Sequence, residues 1–364
     1  MPLSNVDPAN YTQLLAAKVE ATQTLLAPFH PPLPLVVPSP TTGYRMRAEF
    51  RVWHQGAELD YVMFRPGEPG TPVPVREFPV ACERIQALMP LLLAALKREP
   101  LLRRKLFQVE FLSTLDGDTL VTLAYHRRLE DDWESAASEL ATALGIALVG
   151  RSRKQKRVIG RDFVTERLRI HGREFHYRQY EQAFTQPNAQ VNTAMIEWAC
   201  EAAAGLHGDL LELYCGNGNF TLPLAQHFDQ VVATELAKIS IRAAQWNLEA
   251  NAIDNVQMIR LAAEEVTQAM NGERIFRRLA ALPQPLADYA LHTVFVDPPR
   301  AGLDAATEAM VAGFPTIVYI SCNPASLAAN LQQLCRSHKL TRLALFDQFP
   351  YTHHMECGVV LQRR

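Results

Sequence analysis

Cys322 has the sequence surroundings of a reactive nucleophile. It is one of six cysteines, none of which forms a Cys-x-x-Cys pair, so the spacing indicates neither a zinc site nor an iron-sulfur cluster. Residues 316–320 form an apolar run before it, and Asn323 and Pro324 after it are a favoured N-cap and a favoured first helical residue. Because the positive end of a helix lowers the pKa of a thiol, we predict that Cys322 is reactive.

Two acidic side chains could assist such a nucleophile. Asp297 ends an apolar run and is followed by two prolines, which make a rigid loop able to hold a flat ring. Glu356 lies in the polar and aromatic segment 346–357, and we assign it as a general base. His353 and His354 in the same segment resemble metal ligands, but no second ligand pair accompanies them, so we predict no metal site.

A glycine-containing loop indicates a nucleoside cofactor. Gly216 and Gly218 follow the apolar run 210–213, where the absence of Cβ atoms lets the backbone turn tightly and approach a ligand. Glu235, at the end of the next apolar run, could accept hydrogen bonds from ribose hydroxyls. The loop lacks both the third glycine of the dinucleotide fingerprint and the Gly-Lys-Ser/Thr of a phosphate-binding loop. A nucleoside without phosphates therefore fits better than NAD or ATP.

These residues lie at the ends of short apolar runs that alternate with helical stretches after about residue 182. Such alternation predicts an α/β fold with a doubly wound, mostly parallel sheet, in which ligands bind beyond the carboxyl ends of the strands. The predicted strands are residues 209–214, 230–234, 256–260, 293–296, 316–320, 340–346 and 358–362.

The first half of the chain has a different pattern. Its alternating and helical segments predict an antiparallel α+β module, with strands at 44–53, 105–112 and 119–125 and helices at 78–97 and 131–144. A short amphipathic helix and a proline-rich connector precede this module. We therefore predict a helix and connector at 1–43, an α+β RNA-binding domain at 44–180 and the doubly wound catalytic domain at 181–364.

Composition and charge exclude several classes of protein. With 48% hydrophobic residues the chain can build a packed core. The formal net charge is -2, from 36 Lys and Arg against 38 Asp and Glu, so any nucleic-acid surface must be a local patch. The sequence shows neither a secretory leader nor an apolar stretch of about 18 uncharged residues, and we expect a soluble, cytoplasmic protein without a membrane partner.

One local patch is predicted on the strand at 44–53. Arg45, Arg47 and Arg51 share one face of this strand, and Trp53 continues the row. Cations for phosphates and an aromatic ring for stacking suit a folded RNA loop.

A second basic patch is the run 151–157, which carries five positive charges in seven residues. Phe107, after another basic segment, is a further candidate to insert into RNA. Each feature alone is also compatible with an ordinary solvated face or, for Phe107, with a place in the core.

The assembled motifs resemble those of the RNA uracil-C5-methyltransferases. The matching segments are Tyr-Cys-Gly-Asn-Gly-Asn-Phe (214–220), Asp-Pro-Pro-Arg (297–300), Ser-Cys-Asn-Pro (321–324) and His-His-Met-Glu-Cys-Gly (353–358). The resemblance implies a Rossmann-like methyltransferase domain that uses S-adenosyl-L-methionine, with no metal and no iron-sulfur cluster. It also implies that the residues contacting this cofactor are Gln186, Tyr214, Asn219, Glu235 and Asp297.

The resemblance also implies roles for the reactive residues. C5 of uracil is too weakly nucleophilic to attack a methyl donor, so the thiolate of Cys322 would first add to C6. Glu356 would later remove the C5 proton, and elimination would release Cys322. The base would have to leave its stack to reach the thiol.

Within this family the sequence is most similar to the tRNA branch. Ribosomal-RNA relatives commonly carry a cysteine cluster and an added N-terminal module, whereas the chain before Tyr44 has no cysteine. The resemblance then implies uridine 54 of the tRNA T-arm as the target, the related loop of tmRNA as a second substrate, and a monomeric enzyme. RNA contacts are expected from Arg45, Arg47, Arg51 and Phe107.

Three alternatives stay open. A ribosomal-RNA uracil-C5-methyltransferase would share the same site, an amino-group methyltransferase would use the Asp-Pro-Pro loop without a nucleophilic cysteine, and an RNA-folding chaperone would retain a vestigial cofactor site. A cytosine-C5 enzyme usually places its cysteine inside the Asp-Pro loop, where this chain has Pro298, Pro299 and Arg300.

Overall fold

The computed structural model describes residues 6–56, 58–65 and 67–364, which form two compact units. The first unit comprises residues 6–8, Pro40–Arg167 and Gln179–Ala189. The second comprises Ala9–Ser39, Leu168–Arg178 and Gln190–Arg364. This division differs from the predicted boundary at residue 43, because residues 9–39 group with the doubly wound part of the chain.

Strands and helices occupy most of both units. The strands are β1 (Leu35–Val37), β2 (Arg47–Gln55), β3 (Glu58–Arg65), β4 (Glu68–Pro74), β5 (Leu106–Ser113), β6 (Thr119–Tyr125), β7 (Ala147–Ser152), β8 (Gln155–Ile159), β9 (Phe163–Ile170), β10 (Arg173–Tyr180), β11 (Asp209–Leu213), β12 (Val231–Thr234), β13 (Val256–Ile259), β14 (Leu291–Val296), β15 (Thr316–Ser321), β16 (His338–Phe346) and β17 (Glu356–Arg363). The helices are α1 (Tyr11–Leu26), α2 (Glu83–Arg98), α3 (Pro100–Arg103), α4 (Asp131–Leu144), α5 (Ala189–Ala203), α6 (Thr221–Leu224), α7 (Lys238–Ala250), α8 (Ala263–Met270), α9 (Ala305–Val311) and α10 (Pro324–Leu334). Within the described residues, no helix has the length and apolar character needed to cross a membrane.

A seven-stranded sheet forms the first unit, in the order β4-β3-β2-β5-β6-β7-β8. Its neighbouring strands are antiparallel except for β6 and β7, which run parallel. A parallel pair requires a crossover connection, and α4 lies between these two strands in the chain. The predicted antiparallel α+β module is therefore confirmed, with one parallel pair that was not expected.

An eight-stranded sheet forms the second unit, in the order β1-β16-β17-β15-β14-β11-β12-β13. Among its described strands β17 is antiparallel to β15 and β16, and the other neighbouring pairs are parallel. The strand order reverses between β11 and β14, and such a switch point is where doubly wound sheets bind ligands. The predicted doubly wound α/β fold is confirmed.

The proline-rich connector contains a strand that the sequence pattern did not predict. β1 pairs with β16, so that Leu35 lies opposite Ala344 and Val37 lies opposite Phe346. Three residues are too few to show a periodicity of two, and flanking prolines are as typical of a linker as of an edge strand.

Two apolar cores cover the faces of the second sheet. In β11, Leu211 and Leu213 belong to one core and Leu210 to the other, and in β14 Val296 and Phe295 divide in the same way. Successive side chains of a strand point to opposite faces, so a sheet covered on both sides needs nearly continuous apolar strands. This packed sheet fixes the strand ends from which the candidate site is built.

Candidate active site

The candidate site lies at the carboxyl ends of the parallel strands of the second unit. β11 continues into the glycine loop 214–220, β14 is followed by Asp297, and β15 is followed by Cys322. Because the carboxyl ends of parallel strands meet at one edge of a sheet, the fold brings together motifs that are far apart in the sequence.

Two glycines and Tyr214 have left-handed backbone conformations. The φ angle is 57° at Gly216, 84° at Gly218 and 61° at Tyr214. A Cβ atom on Gly218 would lie 2.6 Å from Leu222 Cδ1, the end of a side chain that can move, so the positive φ rather than the space favours glycine there. Other non-glycine residues such as His30 and Ala252 also have positive φ, and the predicted cofactor contact of Tyr214 stays a prediction.

Glu235 holds the glycine loop in place. Its carboxylate accepts hydrogen bonds from the Gly216 N–H at 3.1 Å and from the Ala237 N–H at 2.7 Å. Each oxygen keeps a lone pair that could accept from a ligand hydroxyl. The position directly after β12 therefore suits the predicted ribose contact, which stays a prediction.

Asn219 is fixed by a reciprocal pair of amide hydrogen bonds with Asn192, both of 2.9 Å. The Tyr177 hydroxyl donates to the Asn219 carbonyl at 3.1 Å, and the Asn247 amide donates to the Asn217 carbonyl at 2.8 Å. The loop backbone is therefore held rigidly. A cofactor contact of Asn219 would have to use the lone pairs and N–H groups that these hydrogen bonds leave free, and this contact stays a prediction.

Cys322 lies between β15 and α10, as predicted. Asn323 caps the helix, because its Oδ1 accepts a hydrogen bond from the Ala325 N–H at 3.2 Å. Its Nδ2 donates to the Arg300 carbonyl at 3.0 Å, which ties the cysteine loop to the Asp-Pro-Pro-Arg loop. Cys322 is half-buried, so its thiol is partly accessible.

The register of β17 places Glu356 next to Cys322. Cys357 pairs with Ser321 in the antiparallel ladder, and the next positions outward on the two strands are Glu356 and Cys322. Glu356 is 3% exposed. Among the described residues, neither the Glu356 nor the Asp297 carboxyl has a hydrogen-bond or ion-pair partner. The predicted nucleophile and the predicted base are thus neighbours.

Burial and acidic neighbours control the protonation of this cluster. Burial, assisted by Asp297, raises the pKa of Glu356 to about 8, and burial raises the pKa of Asp297 to about 7. Burial also raises the pKa of Cys322 to about 11, with further raising by Glu356 and Asp297 and a lowering by Arg300. The predicted lowering of the thiol pKa is therefore wrong, because burial and two acids outweigh the favourable groups.

Glu212 is a candidate site residue that the sequence reasoning missed. It lies on β11 and is 1% exposed, and neither of its carboxyl oxygens has a hydrogen-bond partner among the described residues. Burial raises its pKa to about 8, the nearby Thr221 hydroxyl lowers the pKa in part, and Asp297 adds to the rise. A buried carboxyl without a partner suits a cationic ligand group, which would supply the missing interaction. An acid inside an otherwise apolar strand was the one signal in the sequence.

Two further predictions concern Gln186 and the pair His353 and His354. Gln186 belongs to the first unit and is half-buried, and its cofactor contact stays a prediction. The two histidine rings lie side by side, with centroids 4.1 Å apart. Across the described ranges, no three His, Cys, Asp or Glu side chains are grouped so that they could hold a metal ion.

Comparison with known proteins identifies the family. A sequence profile described as tRNA (uracil-5-)-methyltransferase matches residues 10–364. The chain belongs to this family. A relative from Acinetobacter baylyi, named tRNA/tmRNA (uracil-C(5))-methyltransferase, is 54% identical over 97% of this chain and 98% of its own length. A relative of the same name from Pseudomonas putida is 55% identical over 98% of this chain and 99% of its own length.

A solved structure has the same fold as this methyltransferase. The tRNA (uracil-54, C5)-methyltransferase of Pyrococcus abyssi, determined in complex with S-adenosyl-L-homocysteine, matches with a TM-score of 0.75 and 20% sequence identity. The match covers 97% of this chain and 83% of that chain. The predicted Rossmann-like methyltransferase architecture is therefore confirmed.

In this methyltransferase the first unit carries the residues predicted to bind RNA, and two of them make internal contacts. Arg45 Nε donates to the Arg47 carbonyl at 2.8 Å. Arg47 donates to the Ala183 carbonyl at 2.8 Å and also to the Glu181 carbonyl. A guanidinium that holds backbone carbonyls has fewer donors left for phosphate. These contacts favour a structural role for both arginines.

Arg51 and Phe107 belong to a partly exposed aromatic and cationic group. Arg51 and Trp53 lie on the outward face of β2, as the period of two predicted. The Arg51 guanidinium lies 5.4 Å from the centroid of the Phe107 ring. His126, which the sequence reasoning missed, stacks on Phe107 with ring centroids 3.9 Å apart and an interplanar angle of 13°. Flat groups of this kind suit an unstacked RNA base.

Proposed function

We propose that the protein transfers a methyl group from S-adenosyl-L-methionine to C5 of a uridine in tRNA, with Cys322 as covalent nucleophile. The observation that carries the proposal is the juxtaposition of Cys322 and Glu356 across the β15–β17 ladder, close enough to Asp297 for both acids to raise the thiol pKa. The two relatives are named for tRNA and tmRNA, and the proposal includes tmRNA as a second substrate.

Cys322 and Glu356 would divide the chemistry between them. The Cys322 thiolate would add to C6 of the uracil ring, and the electrons of the C5–C6 double bond would move toward C5 and the C4 oxygen. The bound cofactor would supply the methyl group that C5 takes. Glu356 would then accept the C5 proton, the C5–C6 double bond would form again, and the C6–Sγ bond would break with its electrons returning to Cys322.

The residues around the strand switch point fit a positively charged nucleoside cofactor. Glu235 offers carboxylate lone pairs to ribose hydroxyls, while buried Glu212 and half-buried Asp297 offer acidic groups to a cation. A cationic group beside these acids would lower their raised pKa values and would favour the thiolate of Cys322. The remaining members of the proposed binding set are Gly216, Gly218, Tyr214, Asn219 and Gln186.

The proposed target is uridine 54 in the T-arm. The Pyrococcus abyssi relative is named for uracil-54, and the motifs of this chain resemble those of the same branch. Arg51 and Phe107 are proposed to contact the loop, and Arg45 and Arg47 to stabilise the surface that presents them. Because tRNA is the proposed substrate, we place the reaction in the cytoplasm. We also propose that the enzyme is a monomer.

Transfer of labelled methyl groups to defined RNAs tests this proposal. The purified protein, methyl-labelled S-adenosyl-L-methionine and unmodified tRNA should give 5-methyluridine on nuclease digestion. A tRNA with cytidine in place of uridine 54 is the matched control and should accept no label. Label on the control tRNA would contradict the assignment to uridine 54. Label on ribosomal RNA alone would favour the ribosomal alternative, and no label on any RNA would contradict the function.

A further inference from the structure

The basic run 151–157 divides into paired and unpaired cations. Three of its positive charges form ion pairs with carboxylates: Arg151 with Glu181, Lys156 with Asp162 at 2.7 Å, and Arg157 with Asp131 at 3.0 Å. Arg153 and Lys154 are exposed, and neither has a hydrogen-bond or ion-pair partner in the described part of the chain. The pairing of Ser152 with Gln155 makes them the two-residue tip of the β7–β8 hairpin. Their charges are therefore free for another molecule.

The hairpin tip borders a cleft of about 660 Å³ within the first unit. Arg127, Arg128, Arg151 and Arg153 line this cleft, and Glu110 is the acidic residue in its lining. Burial raises the pKa of Glu110 above its ordinary value. The volume lies within the range of about 300–1000 Å³ that is typical of small-ligand sites, so the cleft can hold a nucleotide-sized group.

The charges of the cleft are only partly compensated. The Arg127 guanidinium donates to the carbonyl oxygens of Arg104 at 3.0 Å and Arg128 at 3.1 Å, and these carry no formal charge. Arg128 lies 3.5 Å from Glu130, but their side chains are 81% and 61% exposed, and such a pair is weak. The cleft therefore has a local excess of positive charge in a chain whose formal net charge is -2.

We infer that this cleft and hairpin tip, through Arg128, Arg153 and Lys154, bind backbone phosphates of the RNA substrate. This role rests on the proposed function, and it accounts for the basic run 151–157, to which that function alone gives no role. Guanidinium groups match phosphate in a bidentate way, and Phe107 and His126 in the same lining offer flat rings beside the cations. A concave site with cations and rings suits a folded RNA strand better than a flat anionic membrane.

Two double variants of the same run test the inference. Arg153→Gln/Lys154→Gln removes the unpaired charges, and Lys156→Gln/Arg157→Gln removes the same number of charges from ion pairs. tRNA binding is measured at 50 to 200 mM salt by fluorescence anisotropy with full-length protein. Each lost phosphate contact reduces the slope of log Kd against log salt by about 0.7–0.9, so the first variant should lose about 1.5 from the slope. The affinity ratio between 50 and 200 mM salt should then shrink by about tenfold.

The paired-charge variant should keep nearly the wild-type slope, because its cations are already compensated by carboxylates. Equal slopes for the two double variants would overturn the inference. Thermal melting checks that both variants fold. If either double variant unfolds, the single variants Arg153→Gln and Arg157→Gln replace them, with half the slope change expected for the first and none for the second.

Steady-state methylation separates this inference from the proposed function. The Arg153→Gln/Lys154→Gln variant should have an increased KM for tRNA and an unchanged kcat, since the reacting groups all belong to the second unit. A wild-type protein that methylates no tRNA would contradict the proposed function. A wild-type protein that methylates tRNA, together with an unchanged KM and an unchanged salt slope in the variant, would contradict the inference alone.

Discussion

The two ends of the segment 347–356 carry buried carboxyls in opposite settings. Asp347 is 1% exposed in its side chain, and it receives hydrogen bonds from Lys18 Nζ at 2.5 Å and from the Tyr11 hydroxyl at 2.9 Å. Glu356 is equally buried but has no partner among the described residues, and its pKa is raised to about 8. A paired buried acid stabilises the fold. An unpaired buried acid lowers the stability of the fold and indicates a candidate catalytic site.

The anchored end ties the N-terminal segment to the segment that leads to Glu356. Lys18 Nζ also donates to the Phe349 carbonyl at 3.2 Å, and the Tyr11 hydroxyl accepts a hydrogen bond from the Ser39 N–H at 2.7 Å. The Asp347 N–H donates to the Val37 carbonyl at 3.0 Å. α1 and β1 therefore hold one end of the segment rigidly, and the reactive carboxyl lies at the other end.

Replacing the unpaired acid should have the largest effect on activity. Glu356→Gln keeps the shape of the side chain but cannot accept the C5 proton, so turnover with tRNA should fall by about 10²–10⁴. The covalent step on Cys322 should survive, and a complex with RNA should accumulate on denaturing gels. Turnover close to that of the wild type would show that another group removes the proton.

Replacing the paired acid should instead destabilise the fold. Asp347→Asn leaves the buried Lys18 ammonium without a carboxylate, and the free energy of unfolding should fall by about 3 kcal/mol in denaturant melts. The control is Glu58→Gln, which removes an exposed partner of Lys97 and should leave the melting temperature unchanged. Equal stability of the two variants would contradict the contrast between anchor and reactive acid.

The pH dependence of stability should follow the unpaired acid. Its pKa is raised from 4.5 to about 8 in the folded state, so the folded protein binds the proton more tightly than the unfolded chain does. This contribution is fully present below pH 4.5 and is lost as the pH rises through about 8. The glutamine in Glu356→Gln does not ionise, so the variant should lose less stability than the wild type between pH 6 and 8, by about 2 kcal/mol. Parallel stability curves for the two proteins would place Glu356 in a solvated environment.

The smallest expected effect concerns the reactivity of the thiol. Arg300 lowers the pKa of Cys322, so Arg300→Gln should slow alkylation of Cys322 by iodoacetamide roughly threefold at pH 8. Cys335 is the internal control, since it is also half-buried, lies at the other end of α10 and has Arg364 as its lowering group. Slowing of both thiols alike would point to a general change in structure.

The local sequence pattern predicted the helices and strands, but it could not predict the partners of the charged side chains. Alternating runs predicted most strands of the second sheet, and the Asn323-Pro324 pair predicted the start of α10, which the cap hydrogen bond confirms. By contrast, Arg47 contacts the Ala183 carbonyl 136 residues away. The face of a strand can be predicted from a period of two, but the atoms packed against that face cannot.

The residue types of the reactive cluster were predicted from the sequence, but the pKa values of these residues were not. The sequence indicated a thiol beside a helix start and two acids, Glu356 and Asp297, that could assist it, but not that these acids would raise the pKa of the thiol. Their effect on the thiol pKa depends on the pairing of β17 with β15 and on burial in the folded sheet. Glu212 was missed for the same reason, because an acid inside a strand reveals its isolation only when the packing around it is known.

Trapping of the covalent intermediate tests the central claim most directly. Wild-type protein is incubated with S-adenosyl-L-methionine and tRNA that contains 5-fluorouridine, whose C5 carries no proton for Glu356 to remove. Mass spectrometry of the digested complex should find the RNA on the peptide that contains Cys322, and Cys322→Ala should abolish the adduct while Cys335→Ala retains it. An adduct on another cysteine, or its absence from the wild type while uridine-containing tRNA is methylated, would contradict the assignment of Cys322 as the nucleophile.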